Sequence, residues 1–328
     1  MLPILESGEE TLVGGQAVME GVMMRAPHSY CVAVRKPSGE IVTEEMPVSR
    51  MSEKHPLFKY PVLRGLGVLG QAMQLGMKAL TFSANAALDD GSALVSPDGR
   101  SADAGAAGKD SAGNKEMPKW MMYGQVAFSV LFFIALYKLV PLILTGYVTK
   151  WVPALNGQIL SNLVDGVIRM VLFVAFLLLL CRSKDIRRTF EYHGAEHKVV
   201  FNFEARTPVT VENAQKFTTF HPRCGTSFMF VIMFISMLVY MAVPVQGFAQ
   251  KFALRVAMLP VITGLSYELI RFAAKRQGSF MAMLTAPGLW IQRITTQPPS
   301  NEQAEVAIKA LDGAMQLENA QGGELVIA

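Results

Sequence analysis

The stretch TSFMFVIMFISMLVYMAVPVQ, residues 226–246, runs for 21 residues without a charged side chain. A helix needs about 20 consecutive apolar residues to cross a bilayer, so this segment predicts a membrane span. Three others approach the same length: 122–147, 160–181 and 252–273. These carry polar interruptions, Lys138 and Pro141 in the first, Asp165 and Arg169 in the second, Arg255 and Glu268 in the fourth. Asp165 and Arg169 stand four apart, a spacing that lets them pair on one helix. Ionisable residues inside spans face protein or water, and each is either structural or a functional candidate.

The loops set the orientation. Between the second and third spans, residues 182–225 carry Arg182, Lys184, Arg187, Arg188, Lys198, Arg206, Lys216 and Arg223, whereas the other two inter-span loops hold one lysine each, Lys150 and Lys251. Basic residues mark the cytoplasmic side. The loop 182–225 and both termini are therefore expected in the cytoplasm, and Arg271, Lys275 and Arg276 after the fourth span agree. The acidic start MLPILESGEETLVGGQ has neither the basic opening nor the apolar core of a secretory signal. Together these features predict a multi-pass protein of a bacterial inner membrane. Hydrophobic residues make up 51% of the chain and charged residues 17%, which suits that class better than a soluble domain. No dense basic tract with interleaved aromatics points to nucleic acid. Three scattered cysteines, Cys31, Cys181 and Cys224, do not make a disulfide framework.

Five regions follow along the chain. Residues 1–60 form an N-terminal cytoplasmic segment with a small β-hairpin over 29–46, in which Tyr30, Val32 and Val34 alternate with Cys31, Ala33 and Arg35 before the turn sequence KPSGE. The glycine-rich GGQAVMEGVMMR before it has no firm assignment. Residues 61–88 predict amphipathic or membrane-associated helices, and 89–119 is too poor in large apolar side chains to bury a core, so it is expected to be a disordered linker. Residues 120–276 form a four-helix membrane domain around the loop 182–225. Residues 277–328 contain an interfacial segment interrupted at APG and a soluble C-terminal helix, with Ser300 as its N-cap and Gln303 three residues on. The fold class is thus an α-helical polytopic membrane protein of about four transmembrane helices, with an N-terminal β-hairpin and a helical cytoplasmic loop.

The chemistry gathers in that loop. In FEYHGAEHKVVFNFE, His193 and His197 are four apart and project from one helix face, with Glu196 beside them. The pattern H-x-x-E-H supplies two ligands and a general base in inverted zinc peptidases. The loop ends in FHPRCGTSF, where His221 and Cys224 lie three apart. His193, His197, His221 and Cys224 make a complete N/S set for a divalent ion, most naturally Zn²⁺. Four protein ligands would close the shell as in a structural site, whereas a catalytic site keeps one position open. The competing reading is that His221 and Cys224 cap the mouth of the third span and the helix histidines only hydrogen-bond. Glu268 is a further candidate ligand, with an ion pair to Arg271 or Arg64 as its alternative. Glu191 points elsewhere on the helix, and Glu204, two turns beyond His197, is a weaker ligand candidate.

Four motifs in order, GGQAVMEGVMMR, EYHGAEHKVVFNFE, HPRCGTSF and PGLWIQRITTQPPSNEQAEVAIKAL, resemble the YqhQ-like family of bacterial membrane proteins. The likeness runs from Gly14 to Leu311 apart from the linker. It implies a metal-dependent enzyme without naming a substrate or reaction, and it places His193, Glu196, His197, His221 and Cys224 at signature positions. By the same resemblance Glu20 and Arg25 belong to an N-terminal signature and are expected near the site. One departure is Pro298, where the family pattern has an acidic residue.

Two functions are in competition at this stage. The first is a metal-dependent hydrolase at the cytoplasmic membrane surface, with Glu196 as base and a membrane-associated peptide or lipid-like substrate. The second is a membrane scaffold or assembly factor pinned by a structural metal. A transporter is weaker, because no internal repeat and no paired broken helices are visible.

Overall fold

The computed structural model describes residues 13–49, 55–88, 119–221, 224–245, 247–275 and 279–320. The linker expected over 89–119 lies outside them except for Lys119, as does the acidic start up to residue 12. The described chain is mostly helical, with one four-stranded antiparallel sheet near its N-terminus.

The hairpin expected over 29–46 is half of that sheet. Strands β1 (Gly14–Val18), β2 (Gly21–Arg25), β3 (Ser29–Arg35) and β4 (Ile41–Pro47) form a meander in sequence order. Register is fixed by Val18 opposite Gly21, Val22 opposite Ala33, and Arg35 opposite Ile41. Gly39, at φ 91°, supplies the left-handed residue of the β3–β4 turn. The unassigned GGQAVMEGVMMR is therefore the β1–β2 hairpin, joined through Met19 and Glu20. Its glycines hid the strand pattern.

Both faces of the sheet are covered, which explains why β3 is buried along almost its whole length. Helix α1 (Leu63–Leu88) lays Leu75, Ala79 and Ala86 against Val18, Met23, Tyr30, Val32 and Val34. The expected membrane-associated helix is thus one outer layer of a three-layer domain. On the opposite face, helix α5 (Lys184–Glu204) offers Tyr192, Ala195 and Val199, and helix α11 (Asn301–Ala320) offers Val306, Ala307, Ala310, Leu311 and Ala314. Each fully buried Val or Leu contributes about 1.5–3 kcal/mol. The alanine-rich stripe of α11 lets it lie close to the strands. A Cβ on Gly313 would stand 2.6 Å from Cys31 Sγ. The start of α11 is the expected capping box: Ser300 Oγ accepts from Gln303 N at 3.2 Å, and Gln303 Oε1 accepts from Ser300 N at 2.8 Å.

The remaining helices form the apolar part. Helix α2 (Lys119–Ile134) passes through a π-helical turn, Ala135–Leu139, into α3 (Val140–Trp151), and α4 (Gln158–Leu180) returns. The apolar stretches Gly124–Trp151 and Gln158–Leu180, of 28 and 23 residues, are long enough to cross a bilayer. Beyond α5 and the short helix α6 (Val211–Gln215), the other two expected spans come out differently. Helix α7 (Gly225–Ala242) has a described apolar part, Phe228–Ala242, of about 22 Å at 1.5 Å per residue. Pro244 pushes Val243 into an extended conformation (φ −100°, ψ 109°) and stops it. The segment 252–273 is bent by 49° between α8 (Phe248–Ala257) and α9 (Leu259–Lys275). There Pro260 has no N–H to offer Val256. The described residues therefore hold two helices able to span a membrane, or three if the bent pair counts as one. Asp165 and Arg169 do pair, and Asp165 also accepts from Arg255.

Helix α10 (Ser279–Thr295) continues through the APG sequence, with Pro287 inside it. It packs along α7 and then feeds a short extended strap, 296–299, across α5 to α11.

Gly313→Val drives a branched side chain into Cys31 and Glu45 and is expected to cost about 1–3 kcal/mol. Ser300→Ala removes one half of the capping box and is expected to cost about 1 kcal/mol. Chemical denaturation of the purified variants checks both the losses and their order.

Candidate metal centre

Helix α5 runs between the sheet and the apolar helices, and its inner face carries His193, Glu196, His197 and Val200 at helical spacing. Glu196 and His197 are 5% and 2% exposed. The strap reaches this helix at Gly194, where an added Cβ would meet the Gln297 carbonyl oxygen at 2.0 Å. That close approach lets Gln297 N donate to Phe190 O at 2.9 Å and brings Thr295 O within 2.8 Å of His193 Nδ1.

A carbonyl oxygen only accepts, so His193 Nδ1 carries the proton and Nε2 keeps its lone pair. His197 is fixed in the same way, with Nδ1–H donating to Thr219 O. The nitrogen free to coordinate is therefore Nε2 in both rings. Carbonyl partners of this kind set the tautomer of metal-binding histidines. Cys224, in extended conformation at the N-cap of α7, brings Sγ to 3.3 Å from His193 Nε2 and 3.2 Å from Thr226 Oγ1. One ligand atom from each of His193, His197 and Cys224 falls within 4.8 Å of the other two, close enough to share one ion.

His221 stands beside this trio and not within it. Its backbone is clamped by buried Gln292 of α10, which accepts from His221 N and donates to His221 O, both at 2.7 Å. Its ring lies against Phe201, with centroids 4.5 Å apart, and its Nε2 is 3.5 Å from Glu204 Oε2. Glu196 Oε2 is 3.5 Å from His197 Nε2. These five side chains, with Gly14 and Gly15 of β1, line a cavity of about 110 Å³, enough for an ion with water beside it. A Cβ on Gly15 would stand 2.6 Å from Glu196 Cγ, so the bare backbone of β1 closes the cavity against that carboxylate.

Three other expected residues are elsewhere. Glu268 accepts from Arg64 with both oxygens and from Val62 N, the ion-pair alternative, and it is not part of the trio. Glu20 takes Arg188 and the Tyr192 hydroxyl, which fastens the β1–β2 turn to α5. Arg25 donates to Gln71 of α1 at 2.7 Å. Glu191 points away, as expected, and accepts from Gln303. Sequence reasoning missed Thr295, Thr219 and Gln292. Two of these act through backbone carbonyls, which any residue possesses, and only the shared PGLWIQRITTQ motif marks the third.

Two imidazoles and a thiolate, with cavity space beside them for a fourth donor, would suit a Lewis-acid metal site, and a carboxylate in the same cavity suits a proton acceptor. Without a metal, Cys224 and His193 would be a thiol–imidazole pair. Burial lowers the pKa of His197 and of His221; the Cys224 contact opposes it at His197, and the Glu196 charge opposes it at His221. Both rings thus resist protonation below their ordinary value of 6.5. Within that window the unfolded chain binds protons that the folded chain does not. Metal-free protein is therefore expected to keep its full stability above about pH 6.5 and to lose it progressively on acidification. His197→Gln should flatten that dependence, as read by thermal melts across pH; an unchanged slope would remove His197 from the titrating set.

No solved structure matches the chain. The chain is 33% identical over 306 residues to a Bacillus subtilis (strain 168) protein described as uncharacterized protein YqhQ, covering 93% of this chain and 92% of that one. The family described as protein of unknown function, DUF1385, matches residues 60–317. Neither description names a metal or a reaction, but the extent of both matches means that the chain belongs to the DUF1385 family, with the Bacillus subtilis YqhQ protein among its relatives.

Proposed function

We propose that the protein is a multi-pass inner-membrane hydrolase that uses a divalent metal, most naturally Zn²⁺, at the cytoplasmic surface. The observation that carries this reading is the pair of Nδ1–carbonyl bonds at His193 and His197, which leave two Nε2 lone pairs beside Cys224 Sγ. A bound ion would lower the pKa of water and polarise a carbonyl. His193, His197 and Cys224 would hold it, and Glu196 would take a proton from water in the cavity at its carboxylate oxygen. The backbones of Gly14 and Gly15 wall the cavity beside Glu196. The position between a sheet domain and apolar helices suits a membrane-associated peptide or a lipid-like substrate.

The eight basic residues of 182–225 support the cytoplasmic assignment. Packing of β2 and α11 on α5 supports it too, because N-terminal and C-terminal elements then share the side of that loop. Four crossings remain part of this reading, with α7 as a short span and α8–α9 as a broken one.

A second reading is a scaffold with a structural metal, favoured by the presence of His221 in the same cavity, its ring centroid 5.5 Å from that of His197. A small ring movement would complete a closed four-ligand shell.

Metal analysis with X-ray absorption on the purified protein separates the two. The hydrolase reading expects one zinc per chain with two nitrogens, one sulfur and one water oxygen. A shell of three nitrogens and one sulfur without water would establish the scaffold reading, and absence of stoichiometric metal would end both. Glu196→Gln is expected to retain zinc and to lower activity about 10²–10⁴-fold, the usual contribution of a general base. Full complementation of a deletion strain by that variant would remove Glu196 as the base.

A further inference from the structure

A second polar cluster lies inside the apolar helices. Lys138, Arg169 and Arg255 are 6%, 2% and 3% exposed, and Asp165 between them is 1% exposed. All three cations surround one aromatic ring: Lys138 Nζ lies 5.5 Å from the Tyr240 centroid, and the guanidinium carbons of Arg169 and Arg255 each lie 5.4 Å away. Asp165 gives one oxygen to each arginine. Arg169 also donates to Tyr137 O at 3.1 Å and to Ser236 Oγ at 2.7 Å. Among the described residues Lys138 Nζ donates to the Tyr240 hydroxyl alone, at 3.2 Å, although an ammonium has three N–H groups.

The charge count does not balance. Among the described residues three basic side chains face one carboxylate, so basic groups outnumber acidic ones where all four are buried. Buried charge of one sign is costly unless opposite charge joins it. The backbone is irregular at the same place. Lys138 sits in the π-helical turn Ala135–Leu139, and Arg255 lies two residues before the 49° break between α8 and α9. π-turns concentrate at functional positions, and broken helices beside mid-depth charges are how membrane bundles build solute sites. Lys138 and Arg169 stand near the midpoints of Gly124–Trp151 and Gln158–Leu180. Arg169 is 11 residues, about 16 Å, from the end of α4 that leads to the metal centre.

We infer that Lys138, Arg169 and Arg255 form a binding site for one phosphate-type oxyanion, either free phosphate or the headgroup of an anionic phospholipid. The Lys138 ammonium and the Arg255 N–H groups that Asp165 does not take suit that chemistry, with Arg169 adding positive charge beside them. The inference rests on the membrane part of the reading above and not on the metal.

The test uses full-length protein purified in detergent and compares wild type, Lys138→Met and Lys138→Arg. Lys138→Met removes the hydrogen bond to the Tyr240 hydroxyl and leaves the Asp165 pairs intact. One arm measures the affinity of delipidated protein for inorganic phosphate by its thermal shift against chloride at equal ionic strength. The other measures retention of phosphatidylglycerol by native mass spectrometry. In whichever arm shows binding, Lys138→Met is expected to weaken it about tenfold or more, and Lys138→Arg to stay within a few-fold of wild type. Binding in the first arm alone identifies free phosphate, and in the second alone a lipid headgroup. The inference is overturned if neither arm shows binding to wild type, or if Lys138→Met binds as wild type does. Zinc content should be equal in all three proteins, so loss of metal speaks to the proposed function and loss of anion speaks to this site.

Discussion

The contact between Gly194 and the carbonyl of Gln297 decides how the parts of the molecule meet. A residue with a side chain at position 194 would hold the strap away from α5, because a Cβ there would stand 2.0 Å from an oxygen atom. Glycine in a helix interior costs about 1 kcal/mol relative to alanine. In return, the strap closes enough for Gln297 N to bond Phe190 O and for Thr295 O to reach His193. The strap also joins α10, which lies on the apolar helices, to α11, which covers the sheet. One missing methyl group thus aligns a histidine ring and connects two bodies of different chemistry.

The sequence was most readable where a rule concerns neighbours a few residues apart. The Ser300–Gln303 capping box, the Asp165–Arg169 pair and the shared face of His193 and His197 are all i to i+3 or i+4 relations, and each forms. The hairpin over 29–46 was also legible, because Tyr30, Val32 and Val34 alternate strictly. Its partner over 14–25 was not, since glycines at 14, 15 and 21 break the apolar alternation. Residues 61–88 read as amphipathic or membrane-associated helices, and what the sequence did not display is the sheet on which Leu75, Ala79 and Ala86 pack. Two of the four expected spans are less regular than their hydropathy suggests, for a different reason. Hydropathy sums side chains and does not notice that Pro244 and Pro260 interrupt the backbone. Within the site, ligand types were legible, whereas their tautomers depend on Thr219 and Thr295 carbonyls that no side-chain pattern announces.

Those carbonyls also alter the balance between the two metal readings. Counting residue types in the loop gives four ligands and a closed shell. Geometry separates them into a trio and a neighbour, because His221 is anchored through its backbone to Gln292 and its ring turns toward Phe201 and Glu204. A trio would leave a bound ion one position for water in the cavity that Glu196 also lines. The hydrolase reading, weaker on composition, becomes the stronger one on arrangement.

The side chains of the trio are positioned by two different bodies. His193 and His197 stand on α5, which packs against the sheet, while Cys224 begins α7 among the apolar helices. The orienting carbonyls divide in the same way: Thr219 belongs to the segment between α5 and α7, and Thr295 ends α10. Sliding α7 and α10 along α5 would therefore pull Sγ from the imidazoles and release His193 from its tautomer in one movement. Ion binding in such a site would report the relative position of the two bodies as well as the identity of the side chains. Small residues matter around the site for a related reason: Gly15 against Glu196 and Gly194 against Gln297 fix separations that a single methyl group would enlarge.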